Sequence, residues 1–161
     1  MTLFSKDAFR DRRALVTAGA SGIGAAISRM LVGAGCEVVV SARRGTEAER
    51  WAEEIGAIAA TLDVTDGVAV RRVVAETGPF DILVNNAGVD QHSFFTQTSP
   101  DEWQMLLEVN LISVFSCTQA VLPAMQEKRY GRIINIGSEA GRQGSKGGSV
   151  YAAAKGGVNA F

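Results

Sequence analysis

The sequence has one histidine, His92, and two cysteines, Cys36 and Cys117, which stand 81 positions apart. A histidine-based zinc site needs more than one such ligand, and a Ser-His-Asp hydrolase would have only His92 to use. There is no CxxC pair and no disulfide framework, a pattern that fits a reducing cytoplasm. Charge of one sign is also lacking. Sixteen Lys and Arg face 17 Asp and Glu, for a net charge of −1. A nucleic-acid or anionic-membrane binder usually carries a basic excess, so neither partner is expected. The opening residues, MTLFSKDAFRDRR, place charges where a secretory signal needs an apolar stretch. No run of about 18 apolar residues appears, so no membrane span is expected.

What is present is globular: 161 residues, 47% hydrophobic and 20% charged, with 18 glycines. Short β-branched runs alternate with helical patterns. Strands are predicted at 13–17, 37–42, 58–62, 80–84 and 132–137, and helices at 22–33, 46–55, 65–77, 99–129 and from 149 onward. Thr46 and Glu49 have capping-box spacing. Ser99, Pro100 and Glu102 suit the N-cap, N1 and N3 positions of the long helix. Pro123 is expected to kink that helix and Gly131 to stop it. The strands are continuous apolar runs, which predicts a parallel sheet covered on both faces. Leu106, Val109, Val114, Cys117 and Val121 form an apolar stripe, read as core or subunit interface. Both cysteines, Trp51 and Trp103 read as packing residues.

Three local patterns carry chemistry. Thr17–Gly24 (TAGASGIG) is a glycine-rich turn between a strand and a helix. Such a turn lets backbone approach a diphosphate at a helix N-terminus, although it also serves as an ordinary β–α connection. The second strand ends in Ser41-Ala-Arg-Arg44, with no acidic residue to take a ribose 2′-hydroxyl. Arg43 suits a 2′-phosphate instead and favours NADP(H) over NAD(H); a solvated loop arginine is the bland alternative. Tyr151 and Lys155 lie four apart on one helical face. An ammonium there stabilises a phenolate and makes the tyrosine usable in proton transfer. Ser138 stands 13 positions before Tyr151, just past the fifth strand, at the end of an open α/β sheet where ligands bind.

In this order, the turn Thr17–Gly24, Asp63-Val64, Asn85-Asn-Ala-Gly88, Asn110, Ser138 and Tyr151/Lys155 resemble a single-domain short-chain dehydrogenase/reductase. The resemblance implies an α/β Rossmann-type, doubly wound parallel sheet of order 3-2-1-4-5. It implies a dinucleotide-binding domain over 1–161 that ends before the family's sixth and seventh strands and its substrate-covering segment. It assigns Asn110, Ser138, Tyr151 and Lys155 to catalysis. Tyr151 exchanges the proton, Ser138 holds the carbonyl oxygen, Lys155 binds the nicotinamide ribose, and Asn110 holds a relay water. Thr17, Gly19, Ser21, Gly22, Ile23 and Gly24 cradle the cofactor. Asp63 and Val64 meet the adenine, and Asn86, Ala87 and Gly88 line the cofactor. The family's turn usually begins Thr-Gly, whereas Ala18 stands here, at about 1 kcal/mol if that position needs positive φ. The implied activity is hydride transfer between NADP(H) and a ketone or 3-oxoacyl thioester, in a homotetramer or homodimer. Three other readings stay open: a cofactor-binding fragment without turnover, an NAD(H)-dependent hydroxyacyl-CoA or sugar alcohol dehydrogenase, and an epimerase or dehydratase of the extended branch. His92 falls near the expected site mouth, as a substrate contact or a surface loop. No metal site is expected.

Overall fold

The computed structural model describes residues 4–161. Five parallel strands lie in the order β3-β2-β1-β4-β5. They are β1 (Arg13–Val16), β2 (Glu37–Ala42), β3 (Ile58–Thr61), β4 (Ile82–Asn85) and β5 (Arg132–Asn135). Between them run α1 (Gly22–Gly33), α2 (Gly45–Ile55), α3 (Gly67–Thr77), α4 (Pro100–Leu107) and α5 (Ser113–Lys128), followed by α6 (Ala140–Gln143) and α7 (Ser149–Ala160). The expected sheet order therefore holds.

Alternation along the strands builds two cores. Ala14, Val16, Val38, Val40, Ile82 and Val84 face α1 and α2, meeting Leu31, Trp51 and Ile55. Leu15, Val39 and Leu83 face the opposite way, toward Val70 and Val73 of α3 and Cys117, Val121 and Met125 of α5. Both faces of the central strands are thus apolar, which is why their sequences read as unbroken hydrophobic runs. Register places Val16 beside Val40 and Val84, so the three strands end within two residues of one another and their following loops share one edge.

Several expectations about element ends are corrected. No capping box opens α2. The helix begins at Gly45, one residue before Thr46, and Arg44 stands at the cap without a side-chain bond. The Arg44–Glu47 ion pair at 2.9 Å spans that first turn. Helix α3 starts at Gly67 because Asp66 caps it, accepting from the N–H groups of Val68 and Ala69. Ser99 does cap α4, accepting from Glu102 N. The long helix continues through Pro123 and ends at Arg129, in left-handed geometry, before Gly131. A π segment interrupts it over Glu108–Ile112. There the Asn110 side chain donates to Leu106 O at 2.9 Å, taking the carbonyl that an α-helix would give to a backbone N–H. Pro100–Lys128 is also long and apolar enough to cross a membrane by length and composition. Leu106, Val114, Cys117, Val121 and Met125 are instead buried in this domain's packing.

Candidate cofactor and active site

The loops after β1, β2, β3 and β4 enclose a cleft of ≈ 840 Å³ lined by Ser21, Arg43, Asp63, Val64, Ala87 and Gly88, among others. That volume is within the range of a cofactor site. At its floor the turn after β1 approaches α1 closely. A Cβ on Gly24 would stand 2.3 Å from Ala18 O and 2.5 Å from Asn86 Nδ2, so only glycine fits there. Ser21 makes no side-chain cap on α1, which leaves the first-turn N–H groups without a side-chain acceptor. An uncapped helix start beside a glycine contact is a donor set suited to a diphosphate. Ala18 adopts φ +48°, the strained geometry that its glycine-like place demands. Asn86 Nδ2 clamps it, donating to Thr17 O and Ala18 O at 2.9 and 3.2 Å.

The expected cofactor residues divide by environment. Thr17 is buried, and its Oγ1 accepts from the N–H groups of Asn86 and Ala87. It ties β1 to β4 and offers the cleft no hydroxyl. Ile23 is 62% exposed. Arg44 is held by Glu47, while Arg43 has no ion-pair partner among the described residues. Thr65 donates to Asp63 Oδ1 through its N–H and its hydroxyl, at 3.0 and 2.7 Å. Those bonds, aided by the Arg43 charge and opposed by desolvation, hold the Asp63 carboxyl below its ordinary value. The cleft therefore keeps a free guanidinium and a carboxylate at its β2–β3 side.

Asn110, Lys155 and Gly88 come together at the neighbouring end. A Cβ on Gly88 would lie 2.9 Å from Asn110 Oδ1 and 3.7 Å from Lys155 Nζ. Asn110 is fully buried, and its amide is committed to Val89 N, Val89 O and Leu106 O. Lys155 is buried too, with Nζ donating to Ile136 O at 2.8 Å. Burial lowers its pKa from the ordinary lysine value. Tyr151 sits one turn earlier on α7, its ring centroid 6.0 Å from Lys155 Nζ. Ser138 opens the loop into α6, its Oγ accepting from Ala140 N at 3.2 Å. Helix α6 packs tightly on α7: a Cβ on Gly141 would meet the Lys155 backbone at 2.6 Å. His92 is exposed, 3.9 Å from Asp90.

A profile of the family described as short chain dehydrogenase matches residues 12–161. The chain belongs to that family. It is 42% identical over 159 residues to a 3-oxoacyl-[acyl-carrier-protein] reductase of Salmonella typhimurium, covering 95% of this chain and 65% of that protein. It is 40% identical over 155 residues to an acetoacetyl-CoA reductase of Shinella zoogloeoides, covering 93% of this chain and 64% of the relative. The chain thus spans less than two thirds of the length of these curated relatives. The crystal structure of a metagenomic short-chain oxidoreductase in complex with NADP superposes with a TM-score of 0.89 at 35% identity, covering 95% of this chain and 74% of that one.

In this family member one further residue, without a signal in the sequence, bears on the site. Gln91 is 4% exposed, and its Oε1 accepts from Val150 N and Tyr151 N at 2.9 and 3.1 Å. Its partners lie 59 and 60 positions away. No local signal marks so distant a contact.

Proposed function

We propose that this protein is an NADP(H)-dependent oxidoreductase that reduces a 3-oxoacyl thioester or a related ketone, with Tyr151 as the proton donor. The observation that carries the reading is the buried Lys155 ammonium one turn from Tyr151 and beside Asn110 and Gly88, of which Gly88 lines the cleft. A buried cation without a carboxylate partner is costly, and such groups cluster at functional sites. The names of the relatives, a 3-oxoacyl-carrier-protein reductase and an acetoacetyl-CoA reductase, support the substrate class. The NADP-bound neighbour and the unpaired Arg43 support the cofactor choice over NAD(H).

The roles follow from position and chemistry. The first turn of α1 (Gly22, Ile23, Gly24), with Gly19 and Ser21 of the turn before it, would hold the diphosphate. Arg43 would pair with the 2′-phosphate, and Asp63 and Val64 would border the adenine. When bound, the cofactor supplies the hydride. Lys155 would donate to ribose hydroxyls. Tyr151 would pass its hydroxyl proton to the carbonyl oxygen, and Ser138 would donate a hydrogen bond to the same oxygen. Asn110, whose amide is consumed internally, would act by fixing the π segment and the loop after β4.

Two further assignments belong to this reading. The free, buried thiols of Cys36 and Cys117 suit a cytoplasmic protein. The exposed apolar side chains of Ile112, at the end of the π segment, and Phe115 on α5 favour self-association into a dimer or tetramer. The deciding experiment is Tyr151→Phe, assayed as NADPH oxidation with an acetoacetyl thioester. Removing a general acid costs about 10²–10⁴-fold. Rates within about twofold of wild type would overturn the assignment.

A further inference from the structure

We infer that Gln91 is a positioning residue for Tyr151: its carboxamide oxygen replaces the missing N-cap of α7 and fixes the tyrosine's helix to the loop that follows β4. The inference rests on the proposed role of Tyr151 and goes beyond it to name what holds that residue in place.

The need for such a group is visible at the helix start. An α-helix leaves its first four N–H groups without internal partners. The residue at the cap of α7 is Gly148, which has no side chain to offer them. Gln91 Oε1 accepts from Val150 N at 2.9 Å and from Tyr151 N at 3.1 Å. The other end of the amide is also committed, with Nε2 donating to Ser93 O at 3.0 Å. The backbone N–H of Gln91 donates to Asp90 Oδ1 at 2.8 Å. A side chain only 4% exposed, with both ends of its amide bonded, has a fixed orientation.

The loop that carries Gln91 is itself anchored along its length. Asn86 and Ala87 are bonded to Thr17, the first residue after β1, and Val89 is bonded through both backbone groups to Asn110. Gln91 is the next fixture along, reaching α7. One short segment therefore ties the β1 turn, the π segment and the tyrosine helix into a single register. A local cap such as Ser or Asp would satisfy the same N–H groups without making that connection. Because Ala87, Gly88 and Val89 also line the cleft, the loop joins the cofactor wall to the proton donor.

The chain holds two tyrosines, Tyr130 and Tyr151, which makes a direct readout available. With 3-fluorotyrosine incorporated, the 19F spectrum has two lines, assigned through Tyr151→Phe. Gln91→Ala is expected to shift or broaden the Tyr151 line alone. It should also speed amide exchange at Val150 and Tyr151 by about tenfold. Gln91→Glu keeps acceptor oxygens at the positive end of the helix but loses the Nε2 donor to Ser93 O, and should restore both signals in part. If Gln91→Ala does not fold, Gln91→Asn, one methylene short of the amides, replaces it with the same expectation. In the NADPH assay, Gln91→Ala should lower kcat at least about tenfold while KM for NADPH stays within about twofold. The proposal is overturned if the Tyr151 line and the two amides are unchanged, if the Tyr130 line moves as much, or if Gln91→Glu fails to rescue. It is also overturned if the helix loosens and kcat does not fall. A wild-type protein that neither binds NADPH nor turns over would count against the oxidoreductase reading. The spectral and exchange results would still decide the capping.

Discussion

The two ends of the sheet are built on opposite terms. At the end where the strands begin, Asp81 is 3% exposed and meets Arg13 N at 3.0 Å, Lys128 Nζ at 2.9 Å and Arg12 Nη1 at 3.7 Å. Arg13 also donates to the carbonyls of Thr77 and Gly78, and Arg12 lies over the Tyr130 ring. Charges there are matched and locked. At the end where the strands finish, Lys155 is buried with a carbonyl as its one hydrogen-bond partner among the described residues, and Ala18 is held at φ +48°. Among the described residues, each end leaves one buried polar atom without a partner, Arg13 Nε and Ser41 Oγ, so hydrogen-bond satisfaction alone does not separate them. The difference lies in charge pairing and backbone strain. One end stores stability, and the other gives some up, as the proposed ligand site would require.

The contrast is tested most severely at Asp81. Asp81→Ala removes the acceptor of Arg13 N and leaves Arg12 and Lys128 without their counter-charge, while Arg13 keeps its pair with Glu37. The expected loss is about 2–4 kcal/mol, measured by urea unfolding, with NADPH affinity unchanged. Burial pushes the Asp81 carboxyl up. The Lys128 and Arg13 hydrogen bonds, with the Lys128 and Arg12 charges, outweigh it and hold the group below its ordinary value. A depressed folded-state pKa gives stability that is present above about pH 4 and fades as pH falls through the folded value. Asp81→Ala should remove that part of the acid dependence. A variant that unfolds with the wild-type acid profile would break the comparison.

Lys155→Met probes the other end, and there stability and binding should separate. Loss of a charged donor is expected to weaken NADPH binding about 10–100-fold by fluorescence titration. Stability should not fall in the same way, because a desolvated charge leaves with the side chain. Burial lowers the Lys155 pKa, so the folded state releases its proton before the unfolded chain does. Wild-type stability therefore gains from this group as pH rises through the folded value toward the ordinary one. The buried thiols act in the opposite sense. Burial raises Cys36 to about 11 and Cys117 to about 12, and their contribution is lost as pH climbs above 9. Both proteins contain those thiols, so their effect cancels in the difference. The unfolding free energy of Lys155→Met relative to wild type should decline from pH 7 to pH 10. A flat difference would show that Lys155 is not penalised by its burial.

These tests also mark where sequence was informative. A parallel sheet covered on both faces was readable from the continuous apolar runs, whereas the order of its strands was implied by the family resemblance. Tyr151 and Lys155 were readable because helical spacing fixes their relation. Element ends were less so. Thr46 and Glu49 had capping spacing, yet the helix starts before Thr46, and Asp66 took the N-cap of α3 unannounced. The π segment at Asn110 was hidden because a side-chain amide replaces a backbone donor without altering the apolar period. Thr17 was expected at the cofactor but spends its hydroxyl on β4, a long-range bond that no local pattern encodes. Gln91 was hidden for the same reason. What reads along the chain is periodicity and spacing; what fixes this site is polar contact across 20 to 70 positions.

Ala18 offers the smallest expected effect and the sharpest test of strain. Its φ of +48° lies where a β-carbon crowds the backbone, at a cost of about 1–2 kcal/mol for an L-residue. The conformation persists because neighbours overdetermine it. Asn86 grips the Thr17 and Ala18 carbonyls from one side, and α1 approaches Ala18 O so closely that Gly24 can carry no side chain. Ala18→Gly removes the crowding but frees the unfolded chain, which costs roughly 0.4–1 kcal/mol. The balance predicts stabilisation of about 0.5–1 kcal/mol, a rise of a few degrees in Tm at this chain length. NADPH affinity should change little, because the clamp from Asn86 remains. A fall in Tm would mean that the turn holds no strain at Ala18 and that chain entropy dominates. The double variant Ala18→Gly/Asn86→Ala separates these causes. If strain is imposed by the Asn86 clamp, the gain from glycine shrinks when the clamp is gone, because Ala18 can then relax by itself.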